Sequence, residues 1–157
     1  MDLSRRHLLL GGAALSIAGC GSKSEAKETF TFTLTDAQWK ARLSPAAYQT
    51  LRHEATEQPF TSPLNKEKRK GIYACAGCAL PLFASTTKFD SGTGWPSFYQ
   101  PLPKAIGTKS DYSLGYKRTE VHCRRCGGHL GHVFDDGPPP TGKRYCMNGV
   151  ALAFTPA

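Results

Sequence analysis

Apolar positions fall into three textures along the chain. Leu8 to Ala18 is an apolar run of eleven residues, diluted by glycine and alanine and too short to span a bilayer as a permanent helix. A short helical stretch follows further on. Thr35 or Asp36 can cap a helix through Ala37–Leu43, and Ser44 with Pro45 at the first helical position starts a second, with Tyr48, Leu51 and Arg52 on roughly one face. Trp39 is expected as the core anchor of this helical pair and His53 as a surface residue. From Gly71 onward the pattern changes to short apolar segments broken by Gly, Pro, Asn and Asp. Expected strands are Ile72–Cys75, Leu82–Ala84, Ser97–Tyr99, Tyr112–Tyr116, Arg118–His122, His132–Phe134, Arg144–Met147 and Val150–Phe154. This pattern implies an antiparallel β domain with small helices packed at one end.

The front of the chain reads as an address. Ser4-Arg5-Arg6 before Leu8 and Leu9 resembles a twin-arginine export signal, the alternative being an ordinary secretory n-region. Ile17-Ala18-Gly19-Cys20 resembles a lipobox, with a simple cleavage site as the alternative. Residues 21–34 begin with the small, polar composition of a tether, and residues 35–157 are expected to be the folded domain. These features predict an exported protein, periplasmic or held at a bacterial membrane by a lipid on Cys20. The formal net charge is +8, and +7 once residues 1–20 are set aside, but it is dispersed. It is dense only at Lys66–Lys70 and Lys117–Arg125, the pattern of a solvated surface first and of a binding footprint second, and no nucleic-acid partner is expected.

Six cysteines change the picture. Cys75/Cys78 and Cys123/Cys126 are two Cys-x-x-Cys pairs separated by 45 positions. Together they supply four thiolates, enough to close a tetrahedral structural zinc site. Iron is compatible with the same ligands, and in an exported protein disulfides or a redox pair compete. The long separation argues for a clip between distant parts of one domain. Cys146 has neither partner nor ligand role; with Arg144 before it and Asn148 after it, it reads as a reactive thiol.

Three further segments carry candidate chemistry beside Arg144-Tyr145-Cys146-Met147-Asn148: Phe89–Phe98 with its loop Gly92-Thr93-Gly94-Trp95-Pro96-Ser97-Phe98, Gly128–Phe134 with His129-Leu130-Gly131-His132-Val133-Phe134, and the stiff turn Asp135–Pro140. With the two cysteine pairs, and in this order, they resemble the B-type peptide-methionine (R)-S-oxide reductases, from about Thr35 to Phe154. The resemblance implies two packed antiparallel sheets with small N-terminal helices and one structural zinc on Cys75, Cys78, Cys123 and Cys126. It implies reduction of methionine R-sulfoxide, free or in oxidised proteins. Cys146 would attack the sulfoxide sulfur and become a sulfenic acid, with Arg144 and the imidazoles favouring its thiolate. His132 would donate a proton to the oxygen, with His129 as its orienting partner and Asn148 bonded to the oxygen or a histidine. Trp95 and Phe134 would line the substrate pocket with Arg144 nearby, and a thioredoxin-like or other thiol reductant would regenerate the enzyme.

The chain departs from the family at three places. Many members carry a resolving cysteine where Thr93 stands, which predicts a one-cysteine cycle unless Cys20 resolves the sulfenic acid. Gly149 replaces a frequent Ser, and His122 a frequent Arg. The competing readings are a thiol-disulfide exchange lipoprotein using a Cys-x-x-Cys pair and a zinc-ribbon interaction module; neither explains Cys146.

Overall fold

The computed structural model describes residues 28–157, so the expected export signal, the lipobox and Cys20 lie outside the described residues. Two helices open the domain, α1 (Asp36–Arg42) and α2 (Pro45–His53). Thr35 and Gln38 form a reciprocal capping box on α1, and the Ser44 hydroxyl accepts from the Ala47 amide ahead of Pro45 on α2. Both starts fall where the sequence places them, and Trp39, 4% exposed, is the core anchor expected.

Among the described residues, nine strands form two antiparallel sheets. The smaller sheet joins β1 (Gly71–Cys75), β2 (Pro81–Ala84) and β9 (Leu152–Pro156) in the order β2-β1-β9. The larger contains β3 (Lys88–Phe89), β4 (Ser97–Phe98), β5 (Ile106–Asp111), β6 (Arg118–Cys123), β7 (His129–Phe134) and β8 (Arg144–Met147), ordered β3-β4-β8-β7-β6-β5. Phe98 is the joint between them. It is fully buried, stacks on Phe83 of β2 at 4.4 Å and meets Tyr73 of β1 edge-on at 4.9 Å. Burying a side chain of this size contributes about 1.5–3 kcal/mol, which makes the aromatic trio a principal tie between the sheets. No described helix is long and apolar enough to cross a membrane.

Three strand expectations need correction. Tyr112–Tyr116 is not a strand but the turn between β5 and β6, with Tyr112, Leu114 and Tyr116 exposed. The Asp111 carboxylate accepts from the Ser113 amide and Gly115 takes a φ of 80°, which closes the turn. The strand lies upstream, where Thr108, Lys109 and Ser110 on a sheet edge give no apolar signal. β7 starts at His129 rather than His132, and Gly149–Ala151 form a helical turn before β9 starts at Leu152. β3 is a two-residue strand without a sequence signal of its own.

Of the segment expected as a tether, residues 28–34 are described and lie against the domain. The Phe32 amide donates to the Arg125 carbonyl at 2.9 Å and its ring packs on Trp39, while Phe30 meets His122 edge-on. The packed domain therefore begins before Thr35. His122 is buried, and its Nε2 lies 2.8 Å from a Glu28 carboxylate oxygen, so the departure at this position serves the incoming segment.

Candidate active site

Strand register builds the site. Ser97 of β4 pairs with Cys146 of β8, Cys146 with His132 of β7, His132 with Glu120 of β6, and Glu120 with Lys109 of β5. Directly opposed residues point to the same face, with Cβ atoms about 4.5–5.5 Å apart. One row across the sheet thus holds a hydroxyl, a thiol, an imidazole, a carboxylate and an ammonium group.

His129 joins this row through a bulge. Residues three apart on a regular strand point to opposite faces. Here His122 pairs with His129 while Val121 pairs with Gly131, so β7 carries one extra residue, Leu130. The alternation is reset, and the two imidazoles meet edge-on at 5.5 Å. Gly131 is required, because a Cβ there would sit 2.1 Å from the Cys146 carbonyl oxygen.

The histidines have different settings. His132 lines a pocket of about 120 Å³ with Cys146, Trp95 and Phe134. Its Nε2 lies 2.8 Å from an Asp111 carboxylate oxygen, which also receives Arg118 at 2.5 Å. Burial pushes the His132 imidazole below its ordinary value, the Asp111 hydrogen bond opposes this, and the Arg118 and His129 charges push it further down. Asp111 is held well below the usual carboxylate range, first by the Ser113 amide and then by His132. His129 is buried and does not line the pocket; its Nδ1 meets a Glu120 oxygen at 2.9 Å. Burial alone would raise the Glu120 carboxyl, but the His129 and Lys109 hydrogen bonds hold it below its ordinary value.

Trp95 forms one wall of the pocket, its indole N–H donating to the Glu57 carbonyl at 3.1 Å. Asn148 lines the pocket but bonds no histidine. Its carboxamide donates to the Leu130 carbonyl at 3.1 Å and accepts from the Glu57 amide at 3.0 Å. Arg144 does not line the pocket; it forms a bidentate pair with Asp136 at 2.9 and 2.8 Å and stacks 4.4 Å over the Phe134 ring. Asp136 first, and then the charge of a Cys146 thiolate, hold the guanidinium above its ordinary value. A Cβ at Gly149 would sit 1.9 Å from Ser62 Oγ, so a side chain there would displace Ser62.

Sequence reading missed Asp111, Arg118, Glu120, Thr56 and Glu57. Arg118 and Thr56 line the pocket, and Arg118 Nε has no internal hydrogen-bond partner. Glu57 accepts from the Gly149 and Val150 amides and anchors the loop that supports Trp95. The signal for the first pair was the Asp111-x-Ser113 turn with Gly115, because a hairpin drawn there sets Asp111 opposite Arg118.

Away from the pocket, the four paired cysteines are buried with every sulfur within 4.8 Å of the others. Cys75–Cys126 and Cys78–Cys123 are 3.7 and 3.5 Å apart. A disulfide needs about 2.05 Å, whereas tetrahedral zinc at about 2.3 Å from each sulfur spaces them roughly 3.8 Å apart. The cluster fits one metal ion. Arg42, Arg125 and Arg52 donate to the carbonyls of Gly77, Cys78 and Cys126 at 2.7, 3.1 and 3.1 Å. Both helices are thereby pinned to the cysteine turns.

A half-buried thiol opposite an imidazole, beside an aromatic wall and on a β scaffold clipped by four other thiols, defines a thiol-based enzyme. The SelR domain family model matches residues 43–156. Proteins named peptide methionine sulfoxide reductase MsrB are similar over most of their length. One from Pseudomonas putida is 58% identical over 76% of this chain and 90% of its own. One from Agrobacterium fabrum is 53% identical over 78% and 91%, and one from Methanosarcina mazei 53% over 77% and 87%. The chain belongs to this SelR-domain family of MsrB proteins.

Proposed function

We propose that this chain reduces methionine R-sulfoxide, free or within proteins, to methionine, with Cys146 as nucleophile and an external thiol as reductant. The observation that carries the mechanism is the register that sets His132 opposite Cys146 on the pocket wall. The Cys146 thiolate attacks the sulfoxide sulfur while the oxygen takes up protons, and two electrons pass from the cysteine to the substrate. Methionine leaves and Cys146 holds the oxygen as a sulfenic acid. Two reductant thiols then give Cys146, one disulfide and water. Asp111 accepts from His132 Nε2, which leaves Nδ1 as the nitrogen to carry a proton to the substrate oxygen. Arg118 offers a second donor there, Trp95 and Phe134 surround the methyl group, and Asn148 fixes the loop behind Trp95. His129 and Glu120 orient His132 from behind.

One zinc ion on Cys75, Cys78, Cys123 and Cys126 would serve structure alone, since four protein ligands leave no open position. The knuckle thiols are all at most 3% exposed, which disfavours thiol-disulfide exchange through them. Arg5, Arg6 and the Ile17–Cys20 segment support export by the twin-arginine route and anchoring through a lipid on Cys20, with the enzyme acting in the periplasm or at the membrane.

An assay on the separated sulfoxide epimers tests the activity. Turnover of the R epimer alone is expected, and equal rates on both, or none on R, reject it. The pH profile tests His132. Its imidazolium is present below the depressed value and lost as pH rises through it, so kcat/KM falls on that limb. Asp111→Asn removes the contact that holds His132 up, shifting the limb to lower pH and reducing activity at neutral pH about tenfold. A uniform drop without a shift rejects His132 as the proton donor.

A further inference from the structure

Thr93 stands beside Cys146, and its surroundings assign it a use. It lies between Gly92 and Gly94, both at positive φ (70° and 96°), in a loop pinned by the Phe60 amide on the Gly94 carbonyl at 2.7 Å. Its hydroxyl is 3.7 Å from Cys146 Sγ and 2.9 Å from the Ser91 hydroxyl. Ser91 is 2.7 Å from the hydroxyl of fully buried Ser97, which lies 3.1 Å from the Trp95 carbonyl oxygen. Four contacts therefore run in series from the thiol to the backbone of the pocket's aromatic wall.

The geometry points to Thr93 as the hydrogen-bond donor to the Cys146 thiolate, and to Ser91 and Ser97 as a hydroxyl wire that lets Thr93 turn to the sulfur when Cys146 ionises. The inference rests on Cys146 being the nucleophile, and it follows from counting protons. With Cys146 as a thiol, four protons serve the four contacts and every donor points toward the Trp95 carbonyl. A carbonyl oxygen only accepts, so no other direction fills all four. With Cys146 as a thiolate, three hydroxyl protons remain. Thr93 turns to the sulfur, the three protons fill three of the four contacts, and one of the other contacts gives up its donor. The charged acceptor gains more from a donor than a neutral oxygen loses, so the turn of Thr93 toward sulfur is favoured. Oxygen transfer restores the fourth proton on the sulfenic acid and lets Thr93 turn back. The hydroxyl thus controls the charge of the Cys146 thiol.

The test reads Cys146 without substrate, by its alkylation rate with iodoacetamide at neutral and alkaline pH, located by peptide mass mapping in the full-length protein. Thr93→Val should slow alkylation at neutral pH about tenfold and leave the alkaline rate unchanged, while Thr93→Ser restores it. Thr93→Ala provides the same reading if valine disturbs the fold, which metal content and thermal melting check. Ser91→Ala should have the opposite sign: Thr93 can still donate to the thiolate, but the thiol form loses its filled chain, so alkylation is as fast or faster. An unchanged neutral rate in both Thr93→Val and Thr93→Ala overturns the proposal, as does slowing in Ser91→Ala comparable to that in Thr93→Val. Turnover of the R epimer by the unaltered protein is scored separately, so failure of the wire and failure of the reductase reading are distinguishable.

Discussion

Cys146→Ser is expected to reduce R-sulfoxide turnover by about a thousandfold or more, to background. Serine keeps a hydroxyl at the position but offers no anion at neutral pH, and oxygen lacks the capacity of sulfur to accept and release the transferred oxygen. The side chain is half-buried at the pocket, and the aromatic joint and cysteine cluster lie elsewhere. Metal content and melting temperature should therefore be unchanged, separating lost chemistry from lost fold. A single turnover of the unaltered protein without reductant completes the test. Among the described residues every other thiol is a buried member of the four-cysteine cluster, so the product should carry one added oxygen on Cys146 and react with a sulfenic-acid trap. Retention of a tenth of the activity by Cys146→Ser removes Cys146 from the mechanism. A Cys20–Cys146 disulfide after turnover leaves Cys146 in place and rejects the one-cysteine cycle.

The elements legible in the sequence were those encoded within a few residues. Thr35 with Gln38, and Ser44 with Pro45, mark helix starts because capping is satisfied locally. The Cys-x-x-Cys pairs are equally local, and each knuckle needs only its own turn. Tyr112–Tyr116 shows how that reasoning fails: its alternation mimics a strand, yet Gly115 and the Asp111 side chain favour a turn. Asp111 and Glu120 were invisible as parts of the site because hairpin pairing and a bulge bring them to the histidines. The apparent pairing of His129 with His132 was legible only as proximity. Their division of roles depends on Leu130 as an inserted residue and on which imidazole reaches the pocket, properties of register across β6, β7 and β8.

Loss of the metal clip should be the largest structural effect. Cys78→Ser or Cys123→Ser would remove one of the four thiols proposed to hold zinc, and chelation would remove the ion while leaving every side chain in place. Binding of zinc by four cysteines is worth about 10–16 kcal/mol in small zinc domains, comparable with the whole stability of an ordinary domain. Here the clip joins the end of β1 in the small sheet to the turn between β6 and β7 in the large one. The helices lean on the same point, since Arg42 and Arg52 donate to knuckle carbonyls and Trp39 packs on Gly77. Unpaired, the four buried thiols lose their common acceptor, and β7 enters the site row at His129 only three residues after Cys126. Either ligand variant should lose its metal by elemental analysis and melt upward of about 15 °C lower, with activity falling in proportion to the unfolded fraction. Cys146→Ser must keep both metal and melting temperature under the same conditions. A Cys78→Ser protein with full metal content and unchanged melting would show that the cluster does not hold the fold together.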